Sequence, residues 1–240
     1  MARPARTLTV ATPKVRVREP RLVVSPTTIT CPSYSPTRRQ AIARPCKRAI
    51  DIIGASVLLA LASPLIAIIA IAIKRDDRGP VFFGQWRIGR DMKPFRIWKF
   101  RSMRVGAEDE RWELIAEYGV DQPLFKLADD PRMTRVGRVL RRWSLDELPQ
   151  LWNVVRGEMS LVGPRPPLPE EVRADGLRQP LRLGMRPGVT GPWQVNGRSE
   201  LPYLNGVALD LDYVRDWSIV SDFVILARTP WAVISRKGAH

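Results

Sequence analysis

The sequence predicts an α-rich α/β protein, in which a re-entrant membrane helix-break-helix precedes a small cytosolic domain with a β-hairpin and amphipathic surface helices. Three observations lead to this prediction: a run of 22 uncharged residues, a proline near its centre, and alternating apolar and polar residues soon after it. A chain of 240 residues can bury one sizeable core. The predicted parts are a disordered basic tail (1–45), a re-entrant membrane hairpin (46–75) and a cytosolic domain (76–240).

The positive charge is concentrated in the N-terminal tail. The whole chain has a formal net charge of +15, and residues 1–48 contribute +10 of it. Residues 1–45 are rich in Pro, Thr and Arg without a sustained period, which predicts disorder. A basic tail suits either nucleic acid or an anionic lipid surface. We expect no nucleic-acid partner, because the chain has an apolar run and lacks a recognition-helix or RNP signature.

The scarcity of histidine and cysteine excludes several kinds of site. The only histidine is His240, and the two cysteines, Cys31 and Cys46, can form one bridge at most. A Ser-His or Cys-His catalytic pair and a His-rich metal site are therefore not expected in the folded part. Proton or nucleophile chemistry has to come from Asp, Glu, Lys, Tyr or Ser.

The apolar run Ile52–Ile73 is long enough to cross a hydrocarbon core of about 30 Å. Ser63 and Pro64 stand at its middle, where proline removes a backbone hydrogen bond and kinks or breaks a helix. Each arm is then roughly 16 Å long, about half the membrane. Basic residues flank the run at both ends: Arg44, Lys47, Arg48, Lys74, Arg75 and Arg78. By the positive-inside rule, both ends are predicted to lie on the cytoplasmic side of the membrane. A re-entrant hairpin satisfies both flanks, but the pattern leaves an ordinary transmembrane helix open.

The elements after this run follow from local patterns. Residues 79–103 predict a β-hairpin with its turn at Gly89–Pro94, and residues 106–119 predict a surface helix. Residues 167–185 are expected to form a helix that ends near Gly184. Residues 186–198 predict a loop punctuated by Gly and Pro, and residues 209–234 predict two short helices with an apolar, aromatic face.

Two adjacent carboxylates, Asp146 and Glu147, stand in a basic stretch that ends in a Gly-Pro-Arg-Pro turn. Ser144 and Glu147 match a capping box, so a plain helix start explains the pair in structural terms. Alternatively Leu148 is the N-cap and Pro149 the first helical residue. In either register the pair lies at or just before a helix N-terminus, where the helix dipole favours negative charge.

An ionised aspartate is a competent nucleophile toward phosphorus, but a phosphate group repels it. A divalent cation and guanidinium groups have to neutralise that repulsion. The sequence offers candidate cations near the pair: Arg141, Arg142, Arg165, Lys99 and Arg101. An acidic pair in a basic cleft therefore suits attack on a phosphoanhydride.

At these residues the sequence resembles the bacterial sugar transferases called monotopic phosphoglycosyl transferases, or polyprenyl glycosylphosphotransferases. The resemblance rests on an ordered set of segments that spans about residues 47–226: KRAIDIIGASVLLALASPL, GPVFFGQWRIG, FRIWKFRSM, DDPRMTRVGRVLRRWSLDELPQLWNVVRGEMSLVGPRP, RPGVTGPWQVNGR and LDLDYVRDWSIVSDFVIL. An isolated Asp-Glu pair is weak evidence, whereas the ordered set is specific.

The resemblance implies an activity, a cofactor and a set of site residues. It implies transfer of a hexose-1-phosphate from a UDP-sugar to undecaprenyl phosphate with release of UMP, the first membrane step of exopolysaccharide or other surface-glycan synthesis. It implies Mg²⁺ as cofactor, with Asp146 as covalent nucleophile and Glu147 assisting the metal or phosphate. It places the enzyme at the bacterial inner membrane with its catalytic domain on the cytoplasmic face. Substrate and phosphate binding are expected at Lys99, Arg101, Arg165, Gln194, Arg198 and Asp222, and the membrane break at Ser63 and Pro64.

The resemblance leaves several points open. Met92 stands where the family's hairpin turn typically has glycine. Glucose or galactose phosphate is the expected cargo, while an N-acetylated amino-sugar phosphate is an alternative. A non-catalytic membrane scaffold for glycan assembly is a third hypothesis. Whether the chain forms a homo-oligomer is not decided by the sequence.

Overall fold

A computed structural model of the protein describes residues 35–110, 130–175 and 179–235. Its first element is helix α1, Arg38–Asp77, which is 40 residues long. A capping box starts it: Thr37 Oγ1 accepts from the Gln40 backbone N–H at 3.3 Å, and Gln40 Oε1 accepts from the Thr37 N–H at 3.0 Å. The two bonds satisfy backbone groups that a helix start otherwise leaves unpaired.

The tail predicted as disordered is therefore too long at its C-terminal end. Residues 38–45 are helical, because a capping box at Thr37 begins α1 upstream of Pro45. The remaining prediction for the tail concerns residues 1–34, which lie outside the described part of the chain. It stays a prediction.

The helix continues through Ser63 and Pro64 without an interruption in its assignment. Proline has no N–H to donate to the carbonyl of Ala60, four residues earlier. The Ser63 hydroxyl donates to that carbonyl instead, at 2.8 Å. The Ser-Pro pair thus supplies a hydrogen bond where proline removes one. The helix assignment of α1 has no gap at the predicted break, so the re-entrant path stays a proposal.

Most of the apolar surface of α1 faces away from the protein. Within the described ranges, α1 is the one helix long and apolar enough to cross a membrane, and 11% of its apolar window is buried. Both halves of α1 nevertheless contact the domain: Ala55 packs in the main core, and Ile69 and Ile73 pack against Phe100 and Leu140. The structure is therefore a helix-rich domain with one long apolar helix.

The predicted β-hairpin is confirmed. Strands β1 (Phe82–Ile88) and β2 (Pro94–Phe100) pair antiparallel, with Phe82 opposite Phe100 and Ile88 opposite Pro94. Phe95 and Ile97 face the core, as the alternation predicts. In the turn Met92 has φ 62, in the left-handed region that favours glycine. The residue that departs from the family pattern is therefore conformationally strained.

The remaining helices are short except for the last two. They are α2 (Arg135–Arg142), α3 (Gln150–Arg156), α4 (Pro169–Asp175), α5 (Gln179–Arg182), α6 (Pro192–Val195), α7 (Tyr203–Asp216) and α8 (Ile219–Ile234). The two C-terminal helices are confirmed, with an earlier start than residue 209. Within the helix predicted at 167–185 the structure describes α4 and α5, and residues 176–178 lie outside the described part. Most of the surface helix predicted at 106–119 also lies outside the described residues.

The segment predicted as a loop at 186–198 contains a strand and a helix. Strand β4 (Gly188–Thr190) pairs parallel with β3 (Ser160–Val162). A Cβ added to Gly188 would lie 2.1 Å from the backbone nitrogen of Gly163, so only glycine permits this approach. The contact fastens the Gly-Pro-Arg-Pro turn to the segment 186–198. Without knowledge of this pairing, the Gly and Pro residues of the segment indicate only a loop.

The main core lies between the inner face of the hairpin, α3, β3 and the last two helices. Its buried residues include Phe95, Ile97, Leu151, Val154, Met159, Leu161, Val162, Tyr213, Val214, Trp217 and Ile225. Helix α8 has a second apolar face that stays exposed, with Val220, Phe223 and Trp231. The helix therefore has one face in the core and one exposed apolar face, and a membrane contact of the exposed face stays a prediction.

Candidate active site

The carboxylate pair lies in a 3₁₀ turn, Leu145–Glu147, directly before α3. Its predicted place just before a helix N-terminus is confirmed. The predicted capping box is wrong: the Ser144 side chain makes no cap bond, its hydroxyl accepts from Arg198, and the Glu147 carboxylate binds Lys99. Pro149, the predicted N1, is instead the N-cap of α3, so the helix starts one residue later than predicted. The extra 3₁₀ turn shifts the register.

Lys99, from the end of β2, joins the two carboxylates. Its Nζ donates to Glu147 Oε1 at 2.7 Å and lies 3.8 Å from Asp146 Oδ2. We call Lys99, Asp146 and Glu147 the Asp146 cluster. Asp146 is buried, whereas the side chains of Lys99 and Glu147 are 27% and 35% exposed. The cluster is therefore one buried carboxylate with an accessible cation and an accessible second carboxylate.

The electrostatic environment of Asp146 has opposing contributions. Burial raises the pKa of Asp146, the charge of Glu147 raises it further, and Lys99 and Arg141 lower it. Arg141 is held beside the cluster by a hydrogen bond of 3.0 Å from its Nε to Ser102 Oγ. An anion at Asp146 is thus weakly solvated and depends on nearby cations.

The loop that contains Arg198 reaches the same turn. Arg198 Nη1 donates to Ser144 Oγ at 3.0 Å, two residues before Asp146. Both residues have positive φ, 53 for Arg198 and 55 for Ser144, which is unusual for residues other than glycine. The structure thus places predicted Arg198 next to the carboxylate pair. Sequence reasoning missed this role of Ser144, because no local pattern signals a bond across 54 residues.

Gln194 lies in α6, in the same loop region. Its Oε1 atom is buried and has no hydrogen-bond partner among the described residues. The structure provides no contact between Gln194 and the Asp146 cluster in the part of the chain it describes. Its binding role stays a prediction.

Arg101 is bound to the end of α1 rather than to the carboxylate pair. Its guanidinium forms an ion pair with Asp77, and the Arg101 side chain is 7% exposed. Its Nε and Nη1 are buried without a partner in the described residues. The predicted phosphate-binding role stays a prediction, and the observed contact fixes the C-terminal end of α1 to the strand that carries Lys99.

Arg165 belongs to a second group of charges, the Arg165 cluster, which contains Arg165, Glu171, Arg182 and Asp210. The Arg165 guanidinium donates to both Glu171 oxygens, at 2.7 and 3.0 Å. Asp210 Oδ2 accepts from the Arg165 backbone N–H at 3.1 Å and from Arg182 Nε at 2.9 Å. Arg182 also donates to the Arg165 carbonyl at 2.8 Å. The Gly-Pro-Arg-Pro turn is thus held by side chains on three helices.

Burial determines the acidity of this cluster. Burial raises the pKa of Asp210 to about 6, although Arg182 and Arg165 oppose the shift. Burial also acts to raise the pKa of Glu171, but the charge and hydrogen bonds of Arg165 outweigh it and hold that pKa below its ordinary value. The sequence assigned no role to Asp210, and the structure shows it fully buried inside α7.

Asp222 lies on α8 and is saturated by protein donors. Lys47 Nζ donates to its Oδ2 at 2.6 Å, and Tyr213 Oη and Trp217 Nε1 donate to its Oδ1 at 2.6 and 3.1 Å. These bonds connect the start of α1 to α8. Among the described residues they do not lead to the Asp146 cluster, so the predicted substrate role of Asp222 stays a prediction.

A family comparison covers most of the chain. The model of the family described as "Bacterial sugar transferase" matches residues 42–236. This range contains all but the first four residues of α1, together with the hairpin, the Asp146 cluster and the Arg165 cluster.

Curated relatives share about two fifths of their residues with the chain. Exopolysaccharide production protein ExoY of Rhizobium meliloti (strain 1021) is 42% identical over 198 residues, 81% of this chain and 88% of ExoY. Galactosyl transferase CpsE of Streptococcus agalactiae serotype III (strain NEM316) is 42% identical over 194 residues, 80% of this chain and 43% of CpsE. UDP-glucose:undecaprenyl-phosphate glucose-1-phosphate transferase of Escherichia coli (strain K12) is 41% identical, over 85% of this chain and 43% of the relative. The chain therefore spans less than half of the two longer relatives and most of the rhizobial one.

Proposed function

Because this chain belongs to the bacterial sugar transferase family, we propose that it transfers a hexose-1-phosphate from a UDP-sugar to undecaprenyl phosphate and releases UMP. The observation that carries the proposal is the buried Asp146 carboxylate beside Lys99, within a chain 41% identical to a relative named for this glucose-1-phosphate transfer. The names of other relatives mention galactose and exopolysaccharide production. The product would begin an exopolysaccharide or another surface glycan.

In the first step an Asp146 carboxylate oxygen attacks the phosphorus that bears the sugar. A new P–O bond forms to the carboxylate, the phosphoanhydride bond breaks, and its electron pair leaves with UMP. No base is needed, because the nucleophile attacks as an anion. Lys99 and Arg141 lower the energy of negative charge at this position, since both favour the ionised form of Asp146.

In the second step a phosphate oxygen of undecaprenyl phosphate attacks the same phosphorus. The bond to Asp146 breaks, and its electron pair restores the carboxylate. One phosphoanhydride has replaced another, so the overall free-energy change is small and no ATP is required. The Lys99–Glu147 bond of 2.7 Å keeps the cation beside the carboxylate in both steps.

A magnesium ion fits the donor chemistry of the pair. Magnesium is commonly bound by one or two carboxylates together with substrate phosphate oxygens and water. The described residues contain no group of three or more His, Cys, Asp or Glu side chains that could hold a metal without substrate. Asp146 and Glu147 are the residues that would hold the ion. When bound, it supplies positive charge that reduces repulsion between the carboxylate and the phosphates.

We place α1 in the cytoplasmic leaflet of the bacterial inner membrane as a re-entrant helix, with the domain on the cytoplasmic face. The support is the exposed apolar surface of α1, the Ser63–Pro64 pair at its centre, and the contacts that both halves make with the domain. A straight span would take the C-terminal half of α1 away from these contacts. The lipid phosphate would then be met at the membrane face, where the acceptor resides.

The test is UMP release from a panel of UDP-sugars with undecaprenyl phosphate, using the full chain in detergent. We expect release with UDP-glucose or UDP-galactose, and loss of at least about 10³-fold in the Asp146→Asn variant, since the nucleophile is removed. Mass spectrometry should find a phosphosugar adduct on Asp146 in the wild type and none in the variant.

The matched control is Asp212→Asn, which makes the same change at an exposed aspartate on α7. It should keep full activity. Release from N-acetylated UDP-sugars alone would change the cargo but not the reaction. No release from any UDP-sugar would favour a scaffold role and refute the proposal. Full activity of Asp146→Asn would mean that another residue is the nucleophile and would refute the proposed mechanism.

A further inference from the structure

Four arginines lie near the end of the domain where the hairpin turns and α3 ends. Arg44 Nη2 donates to the carbonyl of Gly184 at 3.4 Å, and the backbone N–H of Asp91, next to Arg90, donates to the carbonyl of Leu183 at 2.9 Å. Arg48 Nη1 and Nη2 donate to the carbonyls of Val154 and Val155, at 2.7 and 2.9 Å. Arg186 Nε donates to the carbonyl of Gly157 at 2.8 Å. We call the group the arginine cluster; its members are Arg44, Arg48, Arg90 and Arg186.

The arginine cluster is separate from the Asp146 cluster. Asp146 precedes the N-terminal end of α3, and Arg48 and Arg186 bind carbonyls at the C-terminal end of that seven-residue helix, about 10 Å further along its axis. The hairpin also separates the two clusters, because Arg90 lies in the turn before β2 and Lys99 lies near the other end of β2. The cluster is therefore not part of the proposed catalytic site.

The positive charges of Arg48 and Arg186 are incompletely balanced. Burial lowers the pKa of Arg186, and the charges of Arg90, Arg48 and Arg44 lower it further, against the opposing charge of Asp51. Arg90 pairs with Asp91, but no carboxylate of the described residues lies within 4 Å of the guanidinium of Arg48 or Arg186. Backbone carbonyls accept hydrogen bonds from guanidinium groups without neutralising them. The group thus keeps net positive charge.

Donors also remain available. Arg186 uses Nε for its bond to Gly157; among the described residues its terminal nitrogens make no further hydrogen bond, and the residue is half-buried. A guanidinium group with free terminal N–H groups is suited to bind a phosphate with two parallel hydrogen bonds. The cluster therefore offers both charge and geometry for a phosphate group.

The position along α1 indicates where that phosphate would be. Arg44 and Arg48 precede Ile52, the first residue of the uncharged run, by roughly 6 to 12 Å along the helix. Ile50 and Ile53 on the same helix are exposed. Since the headgroup region extends about 5 to 8 Å beyond each face of the hydrocarbon core, the backbone of Arg48 lies at headgroup depth and that of Arg44 a few ångströms outside it.

We propose that the arginine cluster binds the phosphate groups of anionic phospholipids at a site distinct from the one for the reacting substrates. The inference rests on the proposed placement of α1 in the bilayer and does not depend on the chemistry at Asp146. The occupant is a membrane lipid, because the charge lies beside the exposed apolar start of α1. The basic residues of the preceding tail favour the same surface.

The test measures lipid selectivity directly. The full chain is placed in phosphatidylcholine bilayers that contain a trace of spin-labelled phosphatidylglycerol or spin-labelled phosphatidylcholine, and the motionally restricted fraction is read by electron paramagnetic resonance. We expect the wild type to prefer phosphatidylglycerol, and the preference to fall with salt. The Arg44→Gln, Arg90→Gln variant should lose at least about fivefold of it. These two arginines are changed because Arg48 and Arg186 support α3.

The matched control removes the same charge from α2, as Arg135→Gln with Arg138→Gln, both exposed. It should keep the preference. An equal loss in both variants would mean that only net charge matters and would overturn the proposal. Displacement of labelled phosphatidylglycerol by excess inorganic phosphate would assign a free-anion site and also overturn it.

Failure of this inference is distinguishable from failure of the proposed function. UMP release in detergent should be unchanged in the Arg44→Gln, Arg90→Gln variant, because neither residue contacts the Asp146 cluster. A loss of release would place these arginines in the catalytic machinery and contradict a separate lipid site. Release of the wild type from vesicles by alkaline carbonate would contradict the placement of α1 in the bilayer, on which the inference rests.

Discussion

The Asp146 cluster and the Arg165 cluster are built from the same kinds of residue but differ in exposure and balance. Lys99 and Glu147 are each about a third exposed, whereas the side chains of Arg182 and Asp210 are 0% exposed. In the Arg165 cluster every charge faces an opposite charge or a backbone partner. In the Asp146 cluster a single lysine serves two carboxylates. Charge content alone therefore does not distinguish the two clusters; the accessibility of their side chains does.

The largest effect on stability is expected when the Arg165 cluster is broken. Asp210→Ala leaves Arg182 buried without its carboxylate, which should cost about 3–5 kcal/mol of unfolding free energy. Glu147→Gln, in the partly exposed cluster, should cost less than about 1 kcal/mol. Unfolding in detergent, followed by tryptophan fluorescence, measures both.

Asp212→Ala is the control for this comparison. It lies two residues after Asp210, and its contact with Arg215 at 3.6 Å is between side chains that are 65% and 67% exposed. It should change stability by less than about 0.5 kcal/mol. Equal destabilisation by Asp210→Ala and Asp212→Ala would show that the buried pair does not have the structural role assigned to it.

The next effect is the pH dependence of stability that the buried Asp210 gives to the Arg165 cluster. Burial raises the pKa of Asp210 from 3.8 to about 6, so folding takes up a proton between these values. This contribution to stability is complete below about pH 4 and is lost as pH rises through 6. The unfolding free energy of the wild type, relative to Asp210→Asn, should fall by roughly 2.5 kcal/mol from pH 4 to pH 7.

The comparison with Asp210→Asn isolates this residue, because other carboxylates such as Glu171 titrate in both proteins. The measurement is a set of denaturant unfolding curves across that pH range. Parallel stability profiles for the two proteins would show that the folded state leaves the pKa of Asp210 unchanged.

A smaller effect sharpens the account of the Asp146 cluster. Ser144→Ala and Arg198→Gln should each lower kcat/KM about tenfold, since either change removes the 3.0 Å bond beside the carboxylate pair. The double variant should be little worse than either single variant. Unfolding free energy should change by less than about 1 kcal/mol in all three.

Steady-state UMP release for the four proteins gives the coupling energy. Lys99→Arg is measured as a separate reference variant, because arginine keeps the positive charge at position 99 but changes the hydrogen bond to Glu147. Fully additive losses for Ser144 and Arg198 would contradict the inferred hydrogen bond.

The smallest effect lies outside both clusters. Met92 has φ 62 and is largely exposed, so Met92→Gly should relieve backbone strain without loss of core packing. We expect a gain of about 1 kcal/mol in unfolding free energy, with unchanged UMP release. Met92→Ala keeps the strain and is the control. A gain with alanine as large as with glycine would assign the effect to the exposed side chain instead.

Much of the fold and part of the site could be predicted from local patterns. The hairpin followed from the alternation at Phe95 and Ile97, and the long apolar helix from its uncharged run. The Asp146–Glu147 pair was located at its helix start. The capping box was predicted wrongly, because the pattern Ser-x-x-Glu does not reveal that Lys99, 48 residues away, takes the glutamate. Competition from a distant partner is invisible in a local motif.

The sequence by itself determined which elements form and which chemical groups are present, because periodicity, proline positions and charge are properties of neighbouring residues. Tertiary structure alone decided which groups share a site. It brought Arg198 to Ser144 and buried Asp210 with Arg182, across 54 and 28 residues. The physical reason is that burial and pairing set whether a charge supports the fold or stays available to a substrate, and both depend on contacts that chain separation does not encode.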